Sequence, residues 1–334
     1  MTCHLSVPVR DTSQPSSARF AAQELAGKAG FDDGDRHRAG IVATELATNL
    51  VKHASAGGEL LLRVVGSGTA AELELIALDK GPGIPDVAAA MRDGHSTAGS
   101  PGNGLGATQR LADDFDIHSM SGKGTAIWVR LRAHRAAAAE HGYDVAGVSL
   151  PKHGEPVCGD GWDVRPRPSG SLTLVADGLG HGLHASEAAA AAITTFHGSR
   201  DINCSTLLER LHDELRRTRG AAAALLAVDA STRVATFAGV GNISGAILNN
   251  GSIRHVVSHN GTLGHEARHF RDYQYPWPAG ALFVLHSDGL ASQWHVSAYP
   301  GLSQRRPAVI ASVLYRDYTR GRDDVTVVVG RESA

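Results

Sequence analysis

The sequence has little of what marks secreted, membrane-spanning or nucleic-acid-binding proteins. Its cysteines are odd in number and form no CxxC pair, which argues against a disulfide framework or a zinc knuckle and favours a reducing cytoplasm; they are Cys3, Cys158 and Cys204. No apolar run approaches the roughly 18 residues of a membrane span, and no charged-then-apolar leader opens the chain. The net charge of -2 argues against a general nucleic-acid binder. We therefore expect a cytoplasmic protein that binds neither nucleic acid nor membrane.

The composition is that of a globular protein, and the 334 residues are enough for two domains. We predict an N-terminal domain over 1–133, an alanine-rich linker over 134–142 and a C-terminal domain over 143–334. The first domain mixes amphipathic helices with paired strands. The second is rich in short strands with two helical stretches, and two sheets with helices outside would bury that pattern. The expected fold class is α/β (α+β).

One helix and one strand end in the N-terminal domain carry candidate binding residues. In "ELATNLVKHA", Glu45, Asn49 and His53 recur at helical spacing and share one face, although three such residues alone are more often a polar surface stripe. In "LELIALDKGPGIPD", Asp79 ends an apolar strand, where a carboxylate is costly unless a partner such as an amino group pairs with it. The glycine-rich "GNGLGA" precedes a helix, where bare backbone N–H groups suit phosphate. Together these segments predict a nucleotide pocket.

In their order and spacing, "ELATNLVKHA", "DKGPGIPD" and "GNGLGATQRLADDFDIHSMSGKGT" resemble the GHKL (Bergerat-fold) ATPases and, among them, the RsbT-like serine protein kinases. The resemblance implies an α/β sandwich that binds ATP and Mg²⁺. It implies that Glu45 is the catalytic base, that Asn49 ligates Mg²⁺ and that Asp79 reads adenine. The remaining implied pocket and lid residues are Gly81, Gly83, Gly102, Gly104, Gly106 and Thr125. His53 and His95 are expected to be packing or surface residues.

A second series of aspartates follows strands in the C-terminal domain. Taken one at a time, these Asp-Gly pairs are ordinary turns, and the residues are Asp160, Asp177, Asp288, Asp323 and Asp324. If they converge, they will repel one another and raise their pKa values unless divalent cations neutralise them. Oxygen ligands select Mg²⁺ or Mn²⁺, and two such ions activate water against phosphate esters.

The order Asp-Gly, Ala-Asp-Gly, Ser-Asp-Gly, Asp-Asp-x-Thr-Val resembles the PPM-type serine/threonine phosphatases, and "DGLGHG", "GVGNI" and "NGTLGH" are similar to the SpoIIE/RsbX branch. The resemblance implies an αββα sandwich with two Mn²⁺ or Mg²⁺ ions. The implied ligands are Asp160, Asp177, the Gly178 carbonyl, Asp288 and Asp323, with Asp160 and Asp177 central to catalysis. Asp324 is expected to lie behind the ligands. The roles of His181, His184 and Cys158 stay open.

Both resemblances together predict a switch that phosphorylates and dephosphorylates a serine or threonine of a STAS-domain regulator, either an anti-sigma antagonist or a stressosome-like protein. An alternative is a nucleotide-dependent module that binds a sigma factor, fused to a phosphatase. A third is an ATP-sensing unit that gates the phosphatase.

Overall fold

The computed structural model describes residues 3–54, 57–66, 68–92, 104–135, 142–167, 169–200 and 203–333. The chain divides into two compact units. The N-terminal unit comprises Thr2–Ala139 together with Val296–Arg316, and the C-terminal unit comprises Glu140–His295 and Asp317–Ala334. The predicted linker falls mostly outside the described residues. The division also differs from the predicted continuous domains, since Val296–Arg316 groups with the N-terminal unit.

Within its described residues, the N-terminal unit is an antiparallel sheet of five strands with helices. The strands are β1 (Leu5–Val9), β2 (Gly58–Val65), β3 (Glu72–Asp79), β4 (Asp114–Met120) and β5 (Gly124–Arg132), in the order β1-β2-β3-β5-β4. The helices are α1 (Gln14–Lys28), α2 (Asp33–His53), the short α3 (Val87–Ala90) and α4 (Gly104–Leu111). The prediction missed both edge strands. β1 contains Pro8, which edge strands tolerate, and β4 alternates acidic with apolar residues, as edges often do.

Small side chains let α1 and α2 pack closely on each other. α1 buries Ala18, Ala22 and Ala26 at intervals of four residues, which places them on one face. A Cβ added at Gly40 of α2 would lie 2.7 Å from the Gln23 amide nitrogen. α2 begins at an Asp32 cap that accepts a hydrogen bond from a backbone N–H, and its apolar face joins the core of the unit. This packing fixes the helix that carries the first candidate site.

The C-terminal unit contains two antiparallel sheets in its described residues. Their strands are β6 (Tyr143–Leu150), β7 (Asp160–Arg167), β8 (Gly170–Gly178), β9 (Ala221–Asp229), β10 (Val234–Val240), β11 (Ser244–Asn249), β12 (Ser252–His255), β13 (Tyr273–Pro276), β14 (Leu282–His286) and β15 (Val325–Glu332). The sheet orders are β13-β10-β9-β8-β7 and β12-β11-β14-β15-β6. Three helices lie in this part of the sequence, α5 (Leu183–Gly198), α6 (Cys204–Leu215) and α7 (Pro307–Tyr318), and most of α7 belongs to the N-terminal unit.

Two hydrophobic cores hold the C-terminal unit together. Large side chains fill the space between the sheets, among them Trp162, Phe237, Trp277 and Phe283. A second core joins α5 and α6 to the outer face of the first sheet. Two packed sheets with helices outside are the predicted arrangement, which is thereby confirmed.

Most of α7 belongs to the N-terminal unit although its sequence lies between β14 and β15. The Arg316 guanidinium donates to the backbone carbonyl of Asp79, with 3.1 Å between nitrogen and oxygen. The backbone N–H of Arg306 donates to the Asp116 carboxylate at 2.7 Å. These contacts join Val296–Arg316 to strands β3 and β4 of the N-terminal sheet. No helix in the described ranges is both long and apolar enough to span a membrane.

Candidate functional sites

The first site brings α2 and the start of α4 together. Glu45 and Asn49 lie one helical turn apart, and a Cβ added at Gly104 would be 3.1 Å from Glu45 Oε2 and 3.4 Å from Asn49 Oδ1. Gly104 therefore leaves space between the helix end and the two polar side chains. Asn49 Nδ2 is buried without a hydrogen-bond partner among the described residues. A buried amide with unmet hydrogen-bonding capacity beside a carboxylate and a helix N-terminus suits a Mg²⁺-bound phosphate.

Asp79 occupies the end of β3 in a turn that is closed by glycines. Its Oδ1 accepts a hydrogen bond of 2.7 Å from the Gly81 N–H. Gly83 has φ +73°, and a Cβ there would collide with the Met120 carbonyl oxygen. A Cβ at Gly124 would collide with the Asp79 carbonyl oxygen. Burial raises the pKa of Asp79, and the Gly81 N–H opposes that rise. The carboxylate is therefore positioned by backbone contacts and suited to accept a hydrogen bond from an amino group.

Thr125 lies on β5, the strand that pairs with β3. Its hydroxyl is 2.9 Å from the Ser119 hydroxyl, which accepts a hydrogen bond from the Ile84 N–H at 2.7 Å. Gly106 is buried within α4. Gly102 and His95 lie outside the described residues. His53 is exposed at the end of α2, in keeping with the surface role expected for it.

The second site lies where strands of both sheets of the C-terminal unit end. Asp160 of β7 and Asp177 of β8 are direct partners in the antiparallel register, so they share one face of the first sheet. Asp288 follows β14 and Asp323 precedes β15, and these strands are neighbours in the second sheet. Asp177, Asp288 and Asp323 line one cavity of about 450 Å³. The predicted aspartates thus reach one region from four strand ends.

Two polar side chains to which the sequence analysis gave no role hold two of these aspartates in place. Ser287 Oγ donates to Asp160 Oδ2 at 2.6 Å and accepts a hydrogen bond from the Thr326 N–H at 2.9 Å. Asn242 Nδ2 donates to Asp288 Oδ2 at 2.8 Å. Ser287, Thr326 and Asn242 stand inside quoted motifs, as the residue before Asp288, the threonine of "DDVT" and the asparagine of "GVGNI", but the motifs do not show their partners. The Ser287 and Asn242 contacts each restrain one carboxylate oxygen and leave the other available, and the Thr326 N–H holds Ser287 in position.

The carboxylates fit divalent cations on the chemistry of this donor set. Asp160 Oδ1 and Asp324 Oδ2 are buried without hydrogen-bond partners among the described residues. Burial, together with neighbouring carboxylates, raises the pKa values of Asp160 and Asp177. Buried oxygens without donors and crowded negative charge are both relieved by a bound cation. Asp324 Oδ1 accepts a hydrogen bond from the Lys152 N–H at 2.8 Å, so one oxygen of Asp324 is already engaged.

The glycines of two Asp-Gly pairs are required by close backbone approach. A Cβ at Gly178 would collide with the Ala185 carbonyl oxygen of α5. A Cβ at Gly289 would collide with the Asp324 carbonyl oxygen. The glycine after each of these two candidate ligands therefore lets a neighbouring element pack closely against the end of the strand. An ordinary Asp-Gly turn does not require such close packing.

Three residues of the N-terminal unit that could bind a metal lie close together, but their contacts are structural. Among the described residues, Asp32, Asp35 and His134 place ligand atoms within 4.8 Å of one another. Asp35 accepts the His134 N–H at 2.7 Å and pairs with Arg38 at 3.0 Å. Asp32 caps α2 by accepting the Asp35 N–H at 2.8 Å. These oxygens are already engaged in capping and pairing. No three carboxylates of the described second site come within the same 4.8 Å of one another.

Hydrogen-bond partners account for His181 and His184 near the second site, and burial accounts for Cys158. His181 Nδ1 is 2.6 Å from Glu155 Oε1, and His184 Nδ1 is 3.2 Å from Glu187 Oε2. Burial raises the pKa of the Cys158 thiol well above its usual value, so the thiol stays protonated and weakly nucleophilic.

Family models match each half of the chain. A model described as histidine kinase-like ATPase domain matches residues 8–131, and one described as stage II sporulation protein E matches residues 168–331. The serine/threonine-protein kinase RsbT of Bacillus subtilis (strain 168) is 38% identical over 118 residues, which are 34% of this chain and 88% of RsbT.

The C-terminal half is similar to RsbX. The phosphoserine phosphatase RsbX of Bacillus subtilis (strain 168) is 25% identical over 188 residues, covering 55% of this chain and 92% of RsbX. A crystal structure of RsbX in complex with magnesium has a TM-score of 0.51 at 26% identity and covers 59% of this chain and 98% of RsbX. A chain solved in work on the bacterial stressosome has a TM-score of 0.53 at 32% identity, covering 57% of this chain and 99% of the solved one.

The two sets of matches lie in different halves and agree with the two sites. The N-terminal matches span Glu45, Asn49 and Asp79, and the SpoIIE model spans Asp177, Asp288 and Asp323. The chain therefore belongs to the RsbT-type histidine kinase-like ATPases through its N-terminal half, and its C-terminal half is a SpoIIE domain similar to that of the RsbX phosphatase.

Proposed function

We propose that this chain phosphorylates and dephosphorylates the same serine or threonine of a STAS-domain regulator in sigma-factor or stress signalling. The observation that carries the proposal is the presence, in one chain, of a Glu45–Asn49–Gly104 cluster suited to ATP and an aspartate cluster suited to two cations. The names of the relatives supply the reaction type, since RsbT is a serine/threonine-protein kinase and RsbX a phosphoserine phosphatase.

In the kinase reaction, the residues of the N-terminal unit bind and orient ATP. Asp79 would accept a hydrogen bond from the adenine amino group, and the N–H groups at the start of α4 would bind phosphate oxygens. Asn49 would hold Mg²⁺, which would supply charge neutralisation. Glu45 takes the proton of the substrate hydroxyl as it attacks, which is the part that a carboxylate plays in phosphoryl transfer.

In the phosphatase reaction, the cavity holds the phosphoserine phosphate. Two Mn²⁺ or Mg²⁺ ions would be held by Asp160, Asp177, Asp288, Asp323 and the Gly178 carbonyl, and they would supply an acidified water and neutralise the phosphate. Ser287 and Asn242 position the Asp160 and Asp288 carboxylates for that role. Burial excludes bulk water from around Asp160.

The test is a pair of reactions on a STAS-domain protein encoded beside this gene. With Mg²⁺-ATP, Glu45→Gln is expected to lower the phosphorylation rate about 100-fold or more, because it removes the general base. With the phosphorylated partner and Mn²⁺, Asp177→Asn is expected to abolish phosphate release. Glu24→Gln, a change at an exposed residue of α1, is the matched control and should alter neither rate.

The outcomes separate the alternatives. If wild-type protein labels no STAS protein but retains phosphate release, the N-terminal unit is not acting as the kinase proposed here. Co-purification of a sigma factor, released or retained according to nucleotide, would then identify it as a binding module. If neither reaction occurs, the proposal fails as a whole.

A further inference from the structure

Two leucines are exposed beside the cavity of the C-terminal unit. Leu179 and Leu183 are 54% and 63% exposed, and Leu179 lines the cavity together with Asp177 and Asp288. Leu183 follows four residues later, at the start of α5. Within the described part of this unit, Val257 is the other large hydrophobic residue with comparable exposure, at 55%, and it lies in a different segment, after β12. Single exposed leucines are common, but two on the turn that leads from the cavity into α5 form an apolar edge beside it.

The backbone around the leucines is anchored, so their exposure does not come from a loose loop. The Leu179 N–H donates to the Gly220 carbonyl at 3.0 Å. Gly180 and Gly182 have φ +89° and +75°, which turn the chain between the leucines. The Gly182 carbonyl also accepts the first backbone hydrogen bond of α5. The two side chains are therefore held outward by a fixed turn.

A cation lies against the same turn. Arg219 is exposed, and its Nη1 would be 3.6 Å from a Cβ added at Gly180, which itself lines the cavity. Among the ion pairs of the described residues none involves Arg219, whereas nearby Arg216 pairs with Asp213 at 3.3 Å. A guanidinium that lies beside a cavity-lining glycine and forms no ion pair among the described residues suits a phosphate or carboxylate of a ligand.

We propose that Leu179, Leu183 and Arg219 form a docking rim for the phosphorylated segment of a protein substrate, a segment with an apolar side chain next to the phosphoserine and an acidic residue nearby. The proposal rests on the phosphatase activity proposed above and names the substrate features that this site selects. Charge complementarity favours this occupant, because Arg219 attracts an acidic segment while the leucines cover its apolar side chain. Binding energy from these flanking residues adds to selectivity without altering the chemistry at the ions.

The experiment compares two substrates on full-length protein with Mn²⁺. One is p-nitrophenyl phosphate, which is too small to span the rim. The other is a phosphoserine peptide with leucine beside the phosphoserine and two glutamates, accompanied by a twin in which serine and glutamine replace leucine and glutamate. The variants are Leu179→Ser, Leu183→Ser and Arg219→Gln, with Val257→Ser as the control of equal exposure.

For each rim variant, the ratio of kcat/KM for the peptide to kcat/KM for p-nitrophenyl phosphate is expected to fall about tenfold, the loss that removing one buried apolar or charged contact produces. Wild-type protein should prefer the peptide to its twin, and the rim variants should lose that preference. Val257→Ser should keep both the ratio and the preference. Equal losses on both substrates, or unchanged ratios, would overturn the proposal.

A binding measurement keeps the two proposals distinguishable. Fluorescence anisotropy of the labelled peptide on Asp177→Asn protein needs no turnover, and adding Leu183→Ser or Arg219→Gln should weaken binding about tenfold. If wild type hydrolyses neither substrate, the phosphatase proposal fails while anisotropy still decides the rim. If Leu183→Ser instead converts a dimer to a monomer in sedimentation, the surface is an interface between copies and the docking rim is refuted.

Discussion

Glu74 lies buried on β3, surrounded by donors on neighbouring strands. Its Oε2 is 2.7 Å from Arg63 Nη2 and 3.1 Å from His4 Nε2, and its Oε1 accepts the Trp128 indole N–H at 2.7 Å. Burial alone would raise the pKa of Glu74, but the Arg63 guanidinium and the His4 contact outweigh it and hold the pKa well below its usual value. The carboxylate therefore stays charged inside the N-terminal unit, and its charge is compensated by Arg63.

Glu74→Gln is expected to lower the free energy of unfolding by about 3 kcal/mol at pH 7, because Arg63 is left buried without its counter-charge. A carboxyl with a depressed folded pKa contributes stability above its unfolded pKa of about 4, and that stability is lost as pH falls toward the folded pKa. Urea denaturation of both proteins, followed by tryptophan fluorescence from pH 7 to pH 3, should show the difference shrinking below pH 4. The exposed pair Asp33–Arg36 provides the control, with Asp33→Asn costing under about 0.5 kcal/mol. A difference that stays constant with pH would contradict this account.

The site residues that could be predicted from sequence were those whose side chain is unusual for their position in an element. Asp177 and Asp288 follow buried strands, where a carboxylate requires a reason. Ser287 and Asn242 could not be recognised in the same way, because serine and asparagine are common in turns and their partners are far away in the sequence. Their hydrogen bonds depend on which strands of the two sheets end together, and that is decided by tertiary packing.

At the level of elements, the second site depends on close packing between the backbone after β14 and the backbone before β15. β14 runs into Gly289, whose missing Cβ allows contact with the Asp324 carbonyl just before β15. Strand pairing and glycine together set the separation of Asp288 from Asp323. A methyl group added at Gly289 is therefore expected to push Asp288 and Asp323 apart.

Gly289→Ala is expected to destabilise the chain by about 2 kcal/mol or more, since the added Cβ must displace backbone in a packed region. It should also weaken Mn²⁺ binding measured by isothermal titration calorimetry. Gly198→Ala is the matched control, since a Cβ there meets nothing within 4 Å. Its effect should stay within about 0.5 kcal/mol. If the two variants behaved alike in both measurements, close packing at Gly289 would not be what fixes the ligands.

Two strands were predictable from their sequence pattern, whereas α7 was not. β3 and β8 each contain a short apolar run that leads directly into an aspartate, Leu75–Leu78 before Asp79 and Leu174–Ala176 before Asp177, a pattern that indicates buried strands. α7 was missed because it is buried from Pro307 to Leu314, so its sequence shows no polar face and no helical alternation. Periodicity is a signal only when one side of an element faces water.

At the scale of the molecule, each unit is expected to be stabilised by its own ligand. A ligand that binds only the folded state raises stability by about 2.7 kcal/mol at 100 times its Kd. Differential scanning fluorimetry should therefore show thermal shifts with Mg²⁺-ATP and with Mn²⁺. Asn49→Ala should lose the shift with ATP and keep the shift with Mn²⁺, and Asp177→Asn should do the reverse. Each variant is the control for the other, and loss of both shifts in one variant would argue against two separate sites.

The placement of Val296–Arg316 has a consequence for anyone who divides this gene. A fragment that ends before residue 143 lacks the arginines that donate to Asp79 and Asp116, and leaves part of its sheet without its natural cover. A fragment that begins at residue 143 carries Val296–Arg316 without the strands that it packs on. Cutting at the linker therefore separates a segment from its own folding partners, and the two halves of the reading frame are not two independent folding units.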